Sequence, residues 1–163
     1  MDCCETSLGE NSGVATLAVC RECGRKGRKV RRVTLEHIIN RERLSELSDA
    51  QYYFCSTSTC GVVYFSNEAG QYFTKADVRV RVGIKEVDDP IPVCYCFNHI
   101  MASLREEIER TGRSTAAASI TAEIKAGNCA CEIKNPSGNC CLVEVHKAVS
   151  AILGELAKNA ADE

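Results

Sequence analysis

The sequence predicts an α+β chain, a small β-rich lobe with one helix followed by a small helical lobe. Three observations carry that expectation. Two aromatic and β-branched runs, "QYYFC" and "GVVYF", flank the turn "CSTSTC" in the first half. Apolar residues at helical spacing fill the second half, after the proline-marked stretch "DDPIPV". Finally, 12 cysteines stand against 4 Phe, 5 Tyr and no Trp in 163 residues. Two lobes with so few large apolar side chains have thin cores and need staples of disulfide or metal.

Taken in order, Met1 to about Ala18 reads as a flexible tail, with Gly9 and Gly13 among Ser and Asn and no periodicity. A lobe is expected over residues 19–89. It opens with a Cys-rich turn, "CRECG", that leads into a short extended segment. In "TLEHIINRERLSEL" the residues Leu35, Ile38, Ile39 and Leu44 share one helical stripe, with Thr34 as N-cap. The two runs around "CSTSTC" are strands, and "ADVRVRVGIKEV", where Val78, Val80, Val82 and Ile84 alternate with polar residues, is a further strand. Pro90 and Pro92 hold the chain extended at the lobe boundary.

The second lobe is expected over residues 90–163. Asn98 is placed as cap of a helix with Ile100, Leu104 and Ile108 inward, ending near "RTGR". Ser114 caps a second helix with Ile120 and Ile124 inward, stopped by Gly127. After the loop "NCACEIKNPSGNC", a third helix carries Leu142, Val145, Val149, Ile152 and Leu156 on its apolar face.

Charge and composition narrow the function classes. The net charge is −2, which argues against a protein whose main partner is a polyanion. No apolar run reaches the length of a membrane span, so membrane insertion is not expected. The start "MDCCETSLGENSG" lacks the basic and apolar regions of a signal peptide. The expected compartment is therefore the cytoplasm, where paired cysteines bind metal or do redox chemistry more often than they form disulfides. No nucleophile elbow, P-loop, HExxH or dinucleotide glycine pattern occurs. A redox or metal-handling protein is expected rather than an enzyme of those classes.

Cys20 and Cys23 form a C-x2-C followed by glycine, a zinc-knuckle turn in which backbone N–H groups face the sulfurs. Cys55 and Cys60 lie on the turn between the two strands. Four thiolates from two turns suit a closed tetrahedral Zn²⁺ site that stabilises the β-rich lobe. A redox dithiol is the competing use. His37 is an alternative ligand or a solvated helix residue. Beside this site stand Arg21, Arg25, Lys26, Arg28, Lys29, Arg31 and Arg32. A zinc-finger-type nucleic-acid-binding protein is the alternative function. The segment has no interleaved aromatics to stack bases, and a charged outer face is the simpler account.

Cys94 and Cys96 form a C-x-C, a spacing too strained for an internal disulfide and suited to gripping one metal centre. A second Cys-bearing loop follows a helix-turn-helix, which is the layout of a [2Fe–2S] site held by thiolates. This lobe resembles the bacterioferritin-associated-ferredoxin type of [2Fe–2S] domain. The motifs "CRECG", "YYFCSTSTCGVVYF", "VCYCF" and "CEIKNPSGNCC" also follow the order seen in the N-terminal region of CopZ-type copper chaperones, over roughly residues 18 to 145. That family joins a zinc-binding lobe to a [2Fe–2S] lobe.

The resemblance implies zinc at Cys20, Cys23, Cys55 and Cys60. It implies a [2Fe–2S] cluster at Cys94, Cys96, Cys131 and Cys141, with Cys131 chosen over Cys129 because the family's ligand lies four residues before the Asn-Pro. Helical spacing agrees on Cys141, four residues before Val145 on the apolar stripe, while Cys140 falls beside the polar face. The family continues into a copper-binding domain, whereas this chain ends in "LGELAKNAADE". The implied function is an electron-transfer or metallochaperone module for copper or another thiophilic metal, reducing Cu(II) to Cu(I). A redox partner or a metal-transporting protein is the implied partner. The adjacent Cys3 and Cys4 are either a soft-metal site or incidental tail residues. His99 and His146 flank the cluster region as tuning groups, as replacement ligands, or as solvated histidines.

Overall fold

The computed structural model describes residues 17–162. Four strands, β1 (Arg28–Val30), β2 (Tyr52–Phe54), β3 (Val62–Ser66) and β4 (Gln71–Thr74), form an antiparallel sheet in the order β1-β2-β3-β4. Helix α1 (Arg32–Ile38) follows β1. A two-stranded ribbon, β5 (Pro92–Cys94) and β6 (His99–Ile100), opens the second half. It is followed by α2 (Met101–Thr111), α3 (Ala116–Lys125), the short α4 (Cys131–Lys134) and α5 (Leu142–Ala161).

Strand alternation divides the sheet residues between two apolar clusters. Tyr52, Phe54, Tyr64 and Phe73 join Leu35, Ile38 and Ile39 of the α1 region in one core. Tyr53, Val62 and Phe65 turn to the opposite side and pack on Ala18, Cys20, Cys55 and Cys60. Every residue of β3 is buried because both faces of the strand are covered, and a register shift between Val62 and Tyr64 places Val63 and Tyr64 in the same cluster. A third core lies beyond Pro92, where Leu104, Ile108, Ile120, Val145 and Ile152 close around Cys94, Cys131 and Cys141.

Several sequence expectations need correction. Helix α1 starts at Arg32 with Arg31 as N-cap, so Thr34 is a buried residue inside the helix. The helix also stops at Ile38, and a 3-10 turn over Arg41–Glu46 carries Leu44 to the core separately. The run from Ala76 to Val87 makes no strand. One isolated bridge pairs Val78 with Ile39, and 3-10 turns occupy Lys75–Asp77 and Gly83–Lys85. Its valines alternate because Val78 and Val82 are buried in the α1 core, not because a neighbouring strand receives the backbone. Asn98 caps nothing. It adopts φ 56° in the β5–β6 turn, and Ile100 is the N-cap of α2. Thr115 rather than Ser114 occupies the N-cap of α3, although the Ser114 hydroxyl accepts the Ala116 N–H at 3.2 Å. The apolar faces of α3 and α5 are placed as expected, and that of α2 consists of Leu104 and Ile108 without Ile100, which precedes the helix. Ala18, assigned to the tail, is buried, and its carbonyl accepts the Gly27 N–H at 2.7 Å. Cys3 and Cys4 lie outside the described residues.

The two halves meet along α1 and α4. The buried Tyr64 hydroxyl donates to the Pro136 carbonyl, and Arg31 pairs with Glu132 across the junction. Gly138 lies so close to Thr34 that a Cβ there would stand 2.9 Å from the Thr34 hydroxyl oxygen.

Candidate metal centres

The first cysteine set is built by two turns brought together by the sheet. Around Cys20, the Cys20 N–H donates to the Arg25 carbonyl at 2.9 Å, and Gly24 donates back to the Cys20 carbonyl at 2.8 Å. Gly24 has φ +69°, the left-handed conformation the knuckle needs after its second cysteine. On the facing turn, the Cys55 N–H donates to Val63, which continues the β2–β3 ladder, and the Cys60 N–H donates to Thr57. The sulfurs of Cys20, Cys23, Cys55 and Cys60 all lie within 4.8 Å of one another. Cys20 and Cys60 are 4.0 Å apart, and Cys23 and Cys55 are 3.6 Å apart. A tetrahedron of thiolates at about 2.3 Å from Zn²⁺ has edges of about 3.8 Å, so the spacing suits that ion.

Electrostatics within this quartet are uneven. Burial pushes Cys60 up to about 12 and raises Cys20. At Cys23 burial acts in the same direction, but the Thr57 hydroxyl at 3.3 Å, the Arg25 backbone and the neighbouring thiols outweigh it and bring the thiol to about 6. Cys23 is the half-buried member and the other three are buried. Cys23 is thus both the most accessible of the four thiols and the one most readily present as a thiolate, the form that binds metal. His37 is not in the group. It is exposed, with Nδ1 2.8 Å from the Val33 carbonyl of its own helix.

The second set gathers from three elements. Cys94 ends β5, Cys96 lies in the β5–β6 turn, Cys131 begins α4, and Cys141 is the N-cap of α5. The Cys141 thiol donates to the Cys94 sulfur at 2.8 Å, and Cys96 and Cys131 are 3.4 Å apart. The Ala130 backbone N–H donates to the Cys96 sulfur at 3.2 Å. Cys141 stabilises the Cys131 thiolate, which falls to about 5, and the Cys94 thiolate, which falls to about 7. The Cys141 thiol is itself raised by the same two contacts. Cys94, Cys131 and Cys141 are buried, and Cys96 is half-buried. All-thiolate donors with a backbone N–H on sulfur suit an iron–sulfur centre as well as a thiophilic ion.

Cys140 is exposed and Cys129 half-buried, and both interact with Cys131 at the rim of this set. His99 is half-buried in β6, and His146 is exposed on α5. Of the seven basic residues near Cys20, Arg31 is engaged by Glu132 and Arg32 by Glu36 and Asp49. Three contributors escaped the sequence reading. Thr57 sits on the Cys23 sulfur, Lys85 is buried against the Cys55–Cys60 turn, and the Tyr95 phenol bonds Gly83 and Arg81. Only the serine- and threonine-rich composition of "CSTSTC" offered a signal, and that for Thr57 alone.

Comparison with known proteins agrees with this geometry. Residues 17–79 match a family model described as the zinc binding domain zf_CopZ. They hold the first quartet and the whole four-stranded sheet. The chain thus carries a zinc-binding domain, and it belongs to the family defined by the CopZ-type zinc-binding domain. It is 37% identical over 123 residues to the copper chaperone CopZ of Archaeoglobus fulgidus, a match that covers 75% of this chain and 57% of that protein. It thus spans little more than half the length of that relative. The crystal structure of the Archaeoglobus fulgidus CopZ N-terminal domain superposes with a TM-score of 0.68 at 33% identity, covering 79% of this chain and 95% of that one. Among the described residues, no helix is long and apolar enough to cross a membrane.

Proposed function

We propose that the chain is a zinc- and [2Fe–2S]-binding module that moves electrons and soft metal ions in copper handling. Zinc is held by Cys20, Cys23, Cys55 and Cys60, in a lobe of residues 19–89. The cluster is held by Cys94, Cys96, Cys131 and Cys141, in a lobe of residues 90–163. The observation that supports this reading is the pairing of those last four sulfurs across three elements, Cys141 with Cys94 at 2.8 Å and Cys96 with Cys131 at 3.4 Å. The similarity to a protein named copper chaperone supports copper as the cargo.

Bound there, a [2Fe–2S] cluster supplies one electron at a time. The protein's own part is to hold and tune it. The Ala130 N–H would stabilise added charge on the Cys96 sulfur, and half-buried Cys96 is the ligand to which a redox partner and Cu(II) would have access. Cu(II) is thereby reduced to Cu(I), the state thiolates prefer, for passage to a metal-transporting protein. The zinc quartet takes no electron, because Zn²⁺ is d¹⁰, and serves the fold. The setting is the reducing cytoplasm, where free thiols persist.

The test is iron, sulfide and zinc analysis with a visible spectrum of anaerobically purified full chain, followed by stopped-flow mixing of the reduced protein with Cu(II). Two irons, two sulfides and one zinc per chain are expected, with loss of the reduced-cluster spectrum on mixing. A chain that takes up zinc alone ends the cluster reading. A cluster indifferent to Cu(II) ends the copper-reduction step.

A further inference from the structure

Lys85 has only 5% of its surface exposed. Its ammonium donates to the Thr57 carbonyl at 2.6 Å and the Cys60 carbonyl at 2.9 Å, both on the turn that carries two thiols of the first quartet. Among the described residues, no carboxylate pairs with it. The adjacent Glu86 is taken by Lys75 and Arg81. An ammonium buried on neutral carbonyls alone carries a large desolvation penalty, and such charges are retained where a countercharge offsets it. Four thiolates around one Zn²⁺ carry a net charge of about −2, which is the countercharge this lysine lacks.

Lys85 also ends a segment that reaches the other cysteine set. Two residues earlier, the Gly83 N–H donates to the Tyr95 hydroxyl at 2.9 Å, and Tyr95 donates in turn to the Arg81 carbonyl at 2.8 Å. Tyr95 is the residue between Cys94 and Cys96. The contact is tight, since a Cβ on Gly83 would stand 1.9 Å from the Pro92 carbonyl oxygen in β5. One five-residue stretch, Arg81 to Lys85, therefore bonds to the Cys55–Cys60 turn and to Tyr95 between Cys94 and Cys96.

We propose that Arg81–Lys85 is a strap that couples the two cysteine sets. Lys85 is the internal counter-ion of the metal-loaded first quartet, and Gly83 and Tyr95 transmit that loading to the Cys94–Cys96 turn. The strap rests on zinc binding at the first quartet and requires no iron at the second. Removing zinc takes away the charged centre that Lys85 faces from the Cys55–Cys60 turn, and the strap is expected to loosen with it.

Two measurements on the full chain test it. Zinc affinity is read by competition with a chromophoric chelator for wild type, Lys85→Met and Lys85→Gln. Glutamine keeps a donor for the two carbonyls but removes the charge, so both variants are expected to bind zinc about 10- to 100-fold more weakly. Wild-type affinity in Lys85→Gln overturns the counter-ion role. Hydrogen exchange is then followed with and without zinc. Zinc removal is expected to speed exchange at residues 93–97 in wild type. In Tyr95→Phe it should leave that stretch unchanged while residues 55–61 still respond. No response at 93–97 in wild type, or the same response in Tyr95→Phe, overturns the strap. A wild-type chain that takes up no zinc overturns the quartet assignment as well, which separates that failure from failure of the strap alone.

Discussion

Cys141 donates its thiol proton to the sulfur of Cys94, 47 positions earlier in the chain, at 2.8 Å. Its immediate neighbour Cys140 is exposed. If the buried set holds the cluster, Cys141→Ala abolishes iron and sulfide in the purified protein, while Cys140→Ala retains both. The same contrast is expected between Cys131→Ala and Cys129→Ala. Iron retained in Cys141→Ala but lost in Cys140→Ala would move the ligand to the exposed residue.

Zinc removal is expected to act mainly on one side of the sheet. The quartet packs with Ala18, Tyr53, Val62 and Phe65, a cluster of few residues. Most of the free energy that holds the two turns together comes from the metal, since structural zinc sites contribute to folding directly. Cys20→Ala therefore loses zinc and lowers Tm by more than about 10 °C, because several kcal/mol are at stake at a few degrees each. Calorimetry with metal analysis checks it. A Tm within about 2 °C of wild type would assign the stability to the aromatic sheet instead.

The turns that carry Cys20, Cys23, Cys55, Cys60, Cys94 and Cys96 could be read from sequence because their signal is local, C-x2-C, C-x4-C and C-x-C, whereas Cys131 and Cys141 belong to no such motif and rest on the resemblance. The helices α2, α3 and α5 could be read for the same local reason, each having its own apolar stripe, and α2 and α3 a following glycine as well. What escaped depends on contacts distant in sequence. Lys85 reads as the polar partner of Ile84 in an alternating run, and only the approach of the Thr57–Cys60 turn buries it. The alternation of Val78 and Val82 has a strand's period but records two visits to the α1 core. Tyr95 reads as spacing between thiols until the Arg81–Gly83 backbone meets its hydroxyl. Strand β4 lacks the β-branched run that marked β3, and takes its place by pairing with it.

The junction between the halves makes its own prediction. Gly138 has φ +71°, and a Cβ there would press on Thr34, a buried residue of α1. Gly138→Ala combines left-handed strain with that overlap and is expected to destabilise the protein by about 1–3 kcal/mol. Tyr64→Phe removes the buried hydroxyl that donates to the Pro136 carbonyl in the same loop, at about 1–2 kcal/mol. Urea unfolding measures both. The two residues share one junction, so their double variant should fall short of the sum. Strict additivity would show that the Pro136 and Gly138 contacts are independent.

Asp77 supplies a pH signature in the first lobe. Its Oδ2 accepts the Thr74 N–H at 2.7 Å and the Thr74 hydroxyl at 2.9 Å, and Arg43 donates to its Oδ1. Burial alone would raise this carboxyl. The Thr74 bonds and the Arg43 charge outweigh it, and the folded-state value is lowered. The unfolded chain, with an ordinary Asp near about 3.9, then binds more protons than the folded one in the window below that value. The stabilisation is complete above about pH 4 to 5 and is lost as pH falls through the folded value. Asp77→Asn should cost about 1 kcal/mol near neutral pH, where the charged acceptor is replaced by a neutral one. The gap between variant and wild type should begin to narrow as pH falls below the ordinary Asp value of about 3.9 and keep narrowing as it falls through the lowered folded-state value. Urea unfolding of both proteins over that range tests it, because the acid sensitivity of the thiolate sites is common to the two and cancels in the difference. A gap that stays constant with pH would mean that the Asp77 charge contributes nothing and that only its shape matters.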